Sequence, residues 1–230
     1  MVTQSELEFV KSRLSFFPHL SGTEKELFES SVASASFKKG SLLKNGRTSC
    51  PGLILIKTGS IRVYMLSEDG REVTLYRLYS GDVCTLSASC VITPLSFDVQ
   101  IMAETDVALY LVPAHAFAKL SKMNIYVENF AYKTTILRFS DVMHAVEQLL
   151  FTKFDIRLAR FLLDEEKRTG SADGLHITHE QLAQYLGSAR EVVSRALKRF
   201  QEAGCISQSR GTIQITGRKQ LEQTAGTDSE

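Results

Sequence analysis

Six residues in a short stretch carry side chains suited to hydrogen-bond recognition: Ser188, Arg190, Glu191, Ser194, Arg195 and Lys198. On a helix of 3.6 residues per turn, Arg190, Glu191, Ser194, Arg195 and Lys198 share one side. Val193, Ala196, Leu197 and Phe200 take the other. Arginine can bond the O6/N7 edge of guanine through both arms of its fork, glutamate can accept from a cytosine amino group, and lysine suits a phosphate. The chemistry on offer is recognition of a base edge, with no bond made or broken. From 188 to 210 five basic residues (Arg190, Arg195, Lys198, Arg199, Arg210) face two acidic ones (Glu191, Glu202), a local charge of +3 in a chain of net +1. A solvated helix face with ordinary ion pairs is the alternative reading of the same residues.

Two helix starts position this face. Thr178 with Gln181, and Ser188 with Glu191, each place Gln or Glu three residues after Ser or Thr, the signature of a capping box. Gly187 between them supplies a tight turn. Leu182, Ala183 and Leu186 of the first helix are spaced to pack on the apolar side of the second. Two short helices at a sharp angle then display the polar stripe from the start of the second one, as a recognition helix displays its first turns to the major groove.

Ala183 and Gly187, four apart, followed by Ser-x-Arg-Glu-x-Val-Ser-Arg, resemble the helix-turn-helix of the cyclic-AMP receptor protein and fumarate–nitrate regulator family of bacterial transcription factors. The resemblance implies that Arg190, Glu191 and Arg195 read bases, with Ser194 a further groove contact and Ser188 and Lys198 beside them. It implies an α+β chain with an N-terminal jelly-roll β-sandwich, a long dimerisation helix and a C-terminal winged helix-turn-helix. Double-stranded DNA, a second copy of the chain and RNA polymerase are the partners it implies.

The rest of the chain is compatible with that plan. Its 230 residues suffice for two small cores, and 43% hydrophobic with 23% charged residues is ordinary for a globular protein. No apolar run reaches the length of a membrane span, and the start MVTQSELEFVKSRL lacks a secretory pattern, so a cytoplasmic location without membrane contact is expected. Residues 1–35 read as helical, with Thr23 and Glu26 as a capping box and Pro18 as a break. LILIK (53–57), IRVYML (61–66), EVTLYRLY (72–79), FDVQIMA (97–103) and VALYLVP (107–113) read as strands. Gly59, Gly70 and Gly81 recur every 11 residues, a strand and a turn of a β-roll.

A helix without Gly or Pro spans 122–152, and Tyr132, Ile136, Phe139, Met143, Val146 and Leu150 repeat at alternating spacings of four and three. That seam fits either a second copy of the helix or burial within its own chain. The next helix starts at Phe154 with Asp155 as its cap and stops at Gly170. ISQSR and TIQIT around Gly211 read as a wing hairpin. The expected divisions are a sensing β-roll with N-terminal helices (1–121), the dimerisation helix (122–152), the winged helix-turn-helix (153–217) and a polar, disordered tail (218–230).

The sensor is less determined. The resemblance, laid on without gaps, puts Leu86, with Ser87 next to it, where cyclic-AMP-binding members carry a glutamate. Ser96 and Phe97 fall on their Arg-Ser pair, and Val142 and Met143 on the adenine-facing groups. A buried phosphate without a cation is strongly disfavoured, which argues against cyclic AMP. Cys84 and Cys90 stand six apart in CTLSASC, with Cys50 in a loop able to approach. They fit small buried residues, a thiol switch, or ligands of a metal or iron–sulfur cluster. A small apolar effector touching Phe97, Phe139 and Met143 is a further reading. No Gly-x-Ser-x-Gly, P-loop, Gly-x-Gly-x-x-Gly or His-Glu-x-x-His motif is present, so the chain is not expected to be an enzyme. A β-roll sensor whose helical domain contacts protein is the alternative to a DNA-binding regulator.

Overall fold

The computed structural model describes residues 2–44, 51–68, 70–85, 99–170 and 173–226. The chain divides into two compact units, residues 1–66 with 75–143, and residues 67–74 with 144–230.

In the first unit, strands β1 (Ala33–Phe37), β2 (Leu42–Lys44), β3 (Leu53–Thr58), β4 (Ile61–Leu66), β5 (Glu72–Leu78), β6 (Val83–Cys84), β7 (Gln100–Ala103) and β8 (Val107–Val112) form two sheets. Their orders are β1-β8-β3-β6 and β2-β7-β4-β5. Consecutive strands β3 and β4 therefore belong to different sheets, and Gly59 makes the corner between them at φ +86. A Cβ there would meet the Asp106 carbonyl oxygen at 2.4 Å, so the position needs both the left-handed backbone and the missing side chain.

β3 is buried on both faces. Ile54 and Ile56 join Ile61, Val63, Ile101 and Leu109 inside the roll, whereas Leu53 and Leu55 join Tyr110 and Val112 under a helical layer. That is why LILIK lacks polar alternation. The layer comprises α1 (Gln4–Arg13), a 3-10 turn (Phe17–His19), α2 (Gly22–Ser31) and α3 (Ala114–Met123). Phe16 anchors it edge-on to Phe28 and Phe130, with centroids 5.9 and 5.1 Å away. The helix expected over 1–35 is thus two helices followed by β1. The box that starts α2 is Ser21 with Glu24, not Thr23 with Glu26. Both pairs satisfy the pattern, and only Glu24 also receives the Asn124 side-chain amide, at 3.0 Å.

Glu6 of α1 accepts from Lys57 of β3 at 2.7 Å. That bond and the Thr3 N–H hold its carboxyl at about 2, below the ordinary glutamate value of ~4.3. A depressed folded-state value stabilises the fold above the ordinary value, and the contribution is lost as pH falls toward the folded one. Glu6→Gln is therefore expected to lower the urea midpoint slightly near neutrality, the pair being solvated, and to match wild type in strong acid.

The long helix begins later than expected. Asn124 is extended (φ −136, ψ 116) and closes α3; its Oδ1 then accepts from the Tyr126 N–H at 2.9 Å, starting α4 (Ile125–Phe151). Val127 and Ala131 of α4 are buried against the helical layer. The seam is not buried: Ile136, Phe139 and Leu150 are 66%, 63% and 69% exposed, and Tyr132, Met143 and Val146 are exposed with them. Burial of this stripe within its own chain is thereby excluded for the described residues.

The second unit holds α5 (Phe154–Thr169), β9 (Leu175–His176), α6 (His179–Leu186), α7 (Arg190–Glu202), β10 (Ile206–Ser209), β11 (Thr212–Ile215) and α8 (Arg218–Ala225). The three strands pair in the order β10-β11-β9, so the wing hairpin is extended by a short third strand. Leu158, Leu162, Leu182, Leu186, Val193, Leu197, Phe200, Ile206 and Ile213 form one core with Leu221 and Ala225. The last two correct the expected disordered tail, because residues 218–225 are helix and pack into this core. Residues 227–230 lie outside the described residues.

Candidate functional site

In the second unit, Thr178 caps α6, its side chain accepting from the Gln181 N–H while Gln181 reaches back to the Thr178 N–H at 2.9 Å. α6 ends in Gly187 at φ +57, a left-handed stop. Arg157 seals this end by donating to the Leu186 carbonyl at 2.6 Å.

The second expected box does not form. Ser188 donates its own N–H to the Ala183 carbonyl at 2.9 Å, which holds it in the turn. The cap of α7 is Ala189, with no side-chain hydrogen bond. Asp155 is likewise not a cap. Lys153 holds that position, and Asp155 in the first turn of α5 takes Arg199 on both carboxylate oxygens at 2.6 and 2.8 Å.

That bond sorts the basic residues of α7. Arg199 is tied to α5, and Lys198 lies 3.8 Å from Glu202. Arg190, Glu191 and Arg195 are exposed and make no ion pair or hydrogen bond among the described residues. Val193, Ala196, Leu197 and Phe200 are buried behind them, as the wheel requires. The face therefore presents two arginines and a glutamate whose hydrogen-bonding capacity is unspent.

Ser194, half-buried on the same face, is engaged. Its Oγ is 2.8 Å from His179 Nδ1 at the start of α6. His179 Nε2 is 3.1 Å from Gln208 Oε1 on β10, and Gln208 Nε2 donates to Gln201 Oε1 at 2.9 Å. His179 and Gln208 were not among the expected site residues. Gln208 lies 29 positions beyond His179, and nothing in the spacing signals that they meet. A cleft of about 270 Å³ lies beside this chain, lined by Glu180, Arg190, Ser209 and Thr212 among others.

In the first unit, Cys84 is a buried cysteine of the roll, outside any disulfide and paired across to Ile54, and Val142 packs against the same cluster. Phe139 and Met143 are on the exposed seam. Leu86, Ser87, Cys90, Ser96, Phe97 and Cys50 lie outside the described residues. Sequence reasoning missed Tyr76 and Arg138. The Arg138 guanidinium carbon is 5.3 Å from the Tyr76 ring centroid, and Arg138 donates to Asp141 at 2.8 Å. Burial raises the Tyr76 hydroxyl well above its ordinary value, Cys84 adds to this, and Arg138 opposes it. A cation thus stands at the roll, on α4. Among the described residues no group of three or more His, Cys, Asp or Glu could hold a metal, and no helix is long and apolar enough to cross a membrane.

This geometry meets known proteins in both units. The family model for a Crp-like helix-turn-helix domain matches residues 156–224, and that for a cyclic nucleotide-binding domain matches residues 34–124. A crystal structure of a crp/fnr-family protein from Eubacterium rectale is 40% identical with a TM-score of 0.90, covering 94% of this chain and 99% of that one. The transcriptional regulator flp of Lacticaseibacillus casei is 22% identical over 91% of this chain and 94% of its own length. The cAMP-activated global transcriptional regulator CRP of Pasteurella multocida is 27% identical over 78% of this chain and 87% of its own.

Proposed function

We propose that this chain, which belongs to the Crp/Fnr family of transcriptional regulators, acts as a homodimer reading a two-fold-related promoter site under the control of an effector. One observation supports the reading above the others. On α7, Arg199 is spent on Asp155 while Arg190, Glu191 and Arg195, exposed beside it, have no side-chain partner among the described residues. Exposed side chains held to no partner can turn to base edges, and the buried opposite side fixes the helix that carries them.

In the dimer the two α7 helices enter successive major grooves, so half-sites stand about one helical turn (~34 Å) apart. Each half carries G·C pairs, matched to Arg190, Arg195 and Glu191. Ser188, in the turn before α7, and Lys198, further along it, meet the backbone. RNA polymerase is the downstream partner. The effector acts at the roll and α4, near Cys84, Val142, Tyr76 and Arg138. Cyclic AMP is not the effector on this reading, because Ser96 and Phe97 stand where cyclic-AMP-binding members carry their Arg-Ser pair, and a buried phosphate there lacks its cation.

Titrations of randomised palindromes by fluorescence anisotropy test this. Arg195→Ala should cost about 1–3 kcal/mol at one base position and relax selectivity there. Lys198→Ala should weaken all sequences alike and reduce the slope of affinity against salt by about one. Equal losses on specific and random DNA for Arg195→Ala would remove it from the base readers.

A further inference from the structure

We infer that His179 fixes Ser194 as an acceptor-only reader, so that at the base it faces the protein selects an amino edge, adenine N6 or cytosine N4, over a carbonyl edge. The inference rests on the DNA-reading function proposed above.

The hydrogen-bond chain has a direction. Gln208 Nε2 donates to Gln201 Oε1 at 2.9 Å, which leaves Gln208 Oε1 toward the histidine. That oxygen is 3.1 Å from His179 Nε2. An amide oxygen can only accept, so Nε2 carries the ring proton. The neutral ring then has a lone pair on Nδ1, 2.8 Å from Ser194 Oγ, and that lone pair takes the hydroxyl hydrogen.

Ser194 has thereby used its single donor, and only lone pairs remain for a ligand. A freely rotating serine donates or accepts and distinguishes bases poorly. A serine held in this sense pairs with an amino hydrogen and leaves lone pair against lone pair at thymine O4 or guanine O6. The constraint comes from two other elements, the first turn of α6 and wing strand β10, so it does not depend on the rotamers of α7. His179 is a positioning residue, acting on DNA through Ser194.

The test uses the full chain, with half-sites varied one pair at a time and affinities read by anisotropy. Ser194→Ala identifies the pair concerned. Wild type is expected to prefer adenine or cytosine there by about tenfold, the worth of one hydrogen bond against an unmatched acceptor. His179→Phe and Gln208→Leu should each erase that preference and leave selectivity at the Arg195 position intact. Gln208→Leu frees the imidazole to change tautomer and release the serine. Gln208→Glu should keep the preference, because a carboxylate still accepts from Nε2–H. His179→Phe should add nothing at this pair once Ser194 is alanine.

A wild-type preference for thymine or guanine at the pair, or an undiminished preference in Gln208→Leu, overturns the inference. So does equal behaviour of Gln208→Leu and Gln208→Glu, which a packing role would give. Absence of any DNA binding by wild type is a separate failure, seen before a variant is made, and it removes the DNA-reading function itself.

Discussion

Phe139→Glu is expected to sediment as a monomer and to lose binding to palindromic DNA while each unit stays folded. The expectation comes from α4, whose exposed seam of Tyr132, Ile136, Phe139, Met143, Val146 and Leu150 runs along one side of a 27-residue helix. An apolar stripe of that length is an aggregation liability unless something covers it. Its alternating four-and-three spacing fits a second copy of the same helix. A two-fold contact places each substitution in the interface twice. At roughly 3 kcal/mol for each unpaired buried charge, the two copies weaken association by about four orders of magnitude. In the single chain Phe139 is 63% exposed, so a glutamate there is solvated and costs the fold little. Unchanged circular dichroism with halved mass in sedimentation is the expected pair of results. An intact dimer would move the subunit contact off this seam.

The seam was legible in the sequence because its spacing is periodic and local. So was the stripe of α7, where Val193, Ala196, Leu197 and Phe200 are buried as the wheel places them. The roll could be read from its strands and from Gly59, Gly70 and Gly81, all of which have positive φ. Features decided by distant partners were not legible. Asn124 ends α3 and starts α4 while bonding to Glu24, 100 positions earlier, and the sequence showed only a helix free of Gly and Pro. Ser188 and Asp155 carry the right side chains for caps, but the Ser188 backbone is held in a turn and Asp155 is taken by Arg199, 44 positions on. Arg138 carried no local signal either, because its approach to Tyr76 depends on how α4 lies on the roll.

Removal of residues 218–230 is expected to destabilise the DNA-reading unit severely, although that segment reads as a polar tail. The reading failed because α8 has only two core residues, Leu221 and Ala225, among charged and amide side chains. Four apart, they share one face, and both are fully buried against the core that contains Leu158, Leu162 and Phe200. The ends are held as well. Arg160 of α5 donates to the Ala225 carbonyl at 2.8 Å, and Arg218 pairs with Glu166. Gly217 packs so closely on the Gly204 carbonyl oxygen that a Cβ would lie 2.5 Å from it, which fixes where the chain turns into α8. Leu221→Ala alone should cost about 2–5 kcal/mol, the range for a buried leucine emptied to a cavity. A domain of this size has only about 5–15 kcal/mol in total, so deletion of the whole helix brings the unit near its unfolding midpoint at ordinary temperature. The check is thermal unfolding of the chain ending at Gly217 beside the full chain, with near-ultraviolet dichroism reporting lost aromatic packing such as the stack of Phe161 on Tyr185 at 5.4 Å in this unit. Arg218→Ala, which breaks only the partly exposed pairs with Glu166 and Glu222, should shift the transition by less than about 1 kcal/mol. If the truncated chain unfolds at the wild-type temperature and binds DNA normally, α8 does not contribute to this core.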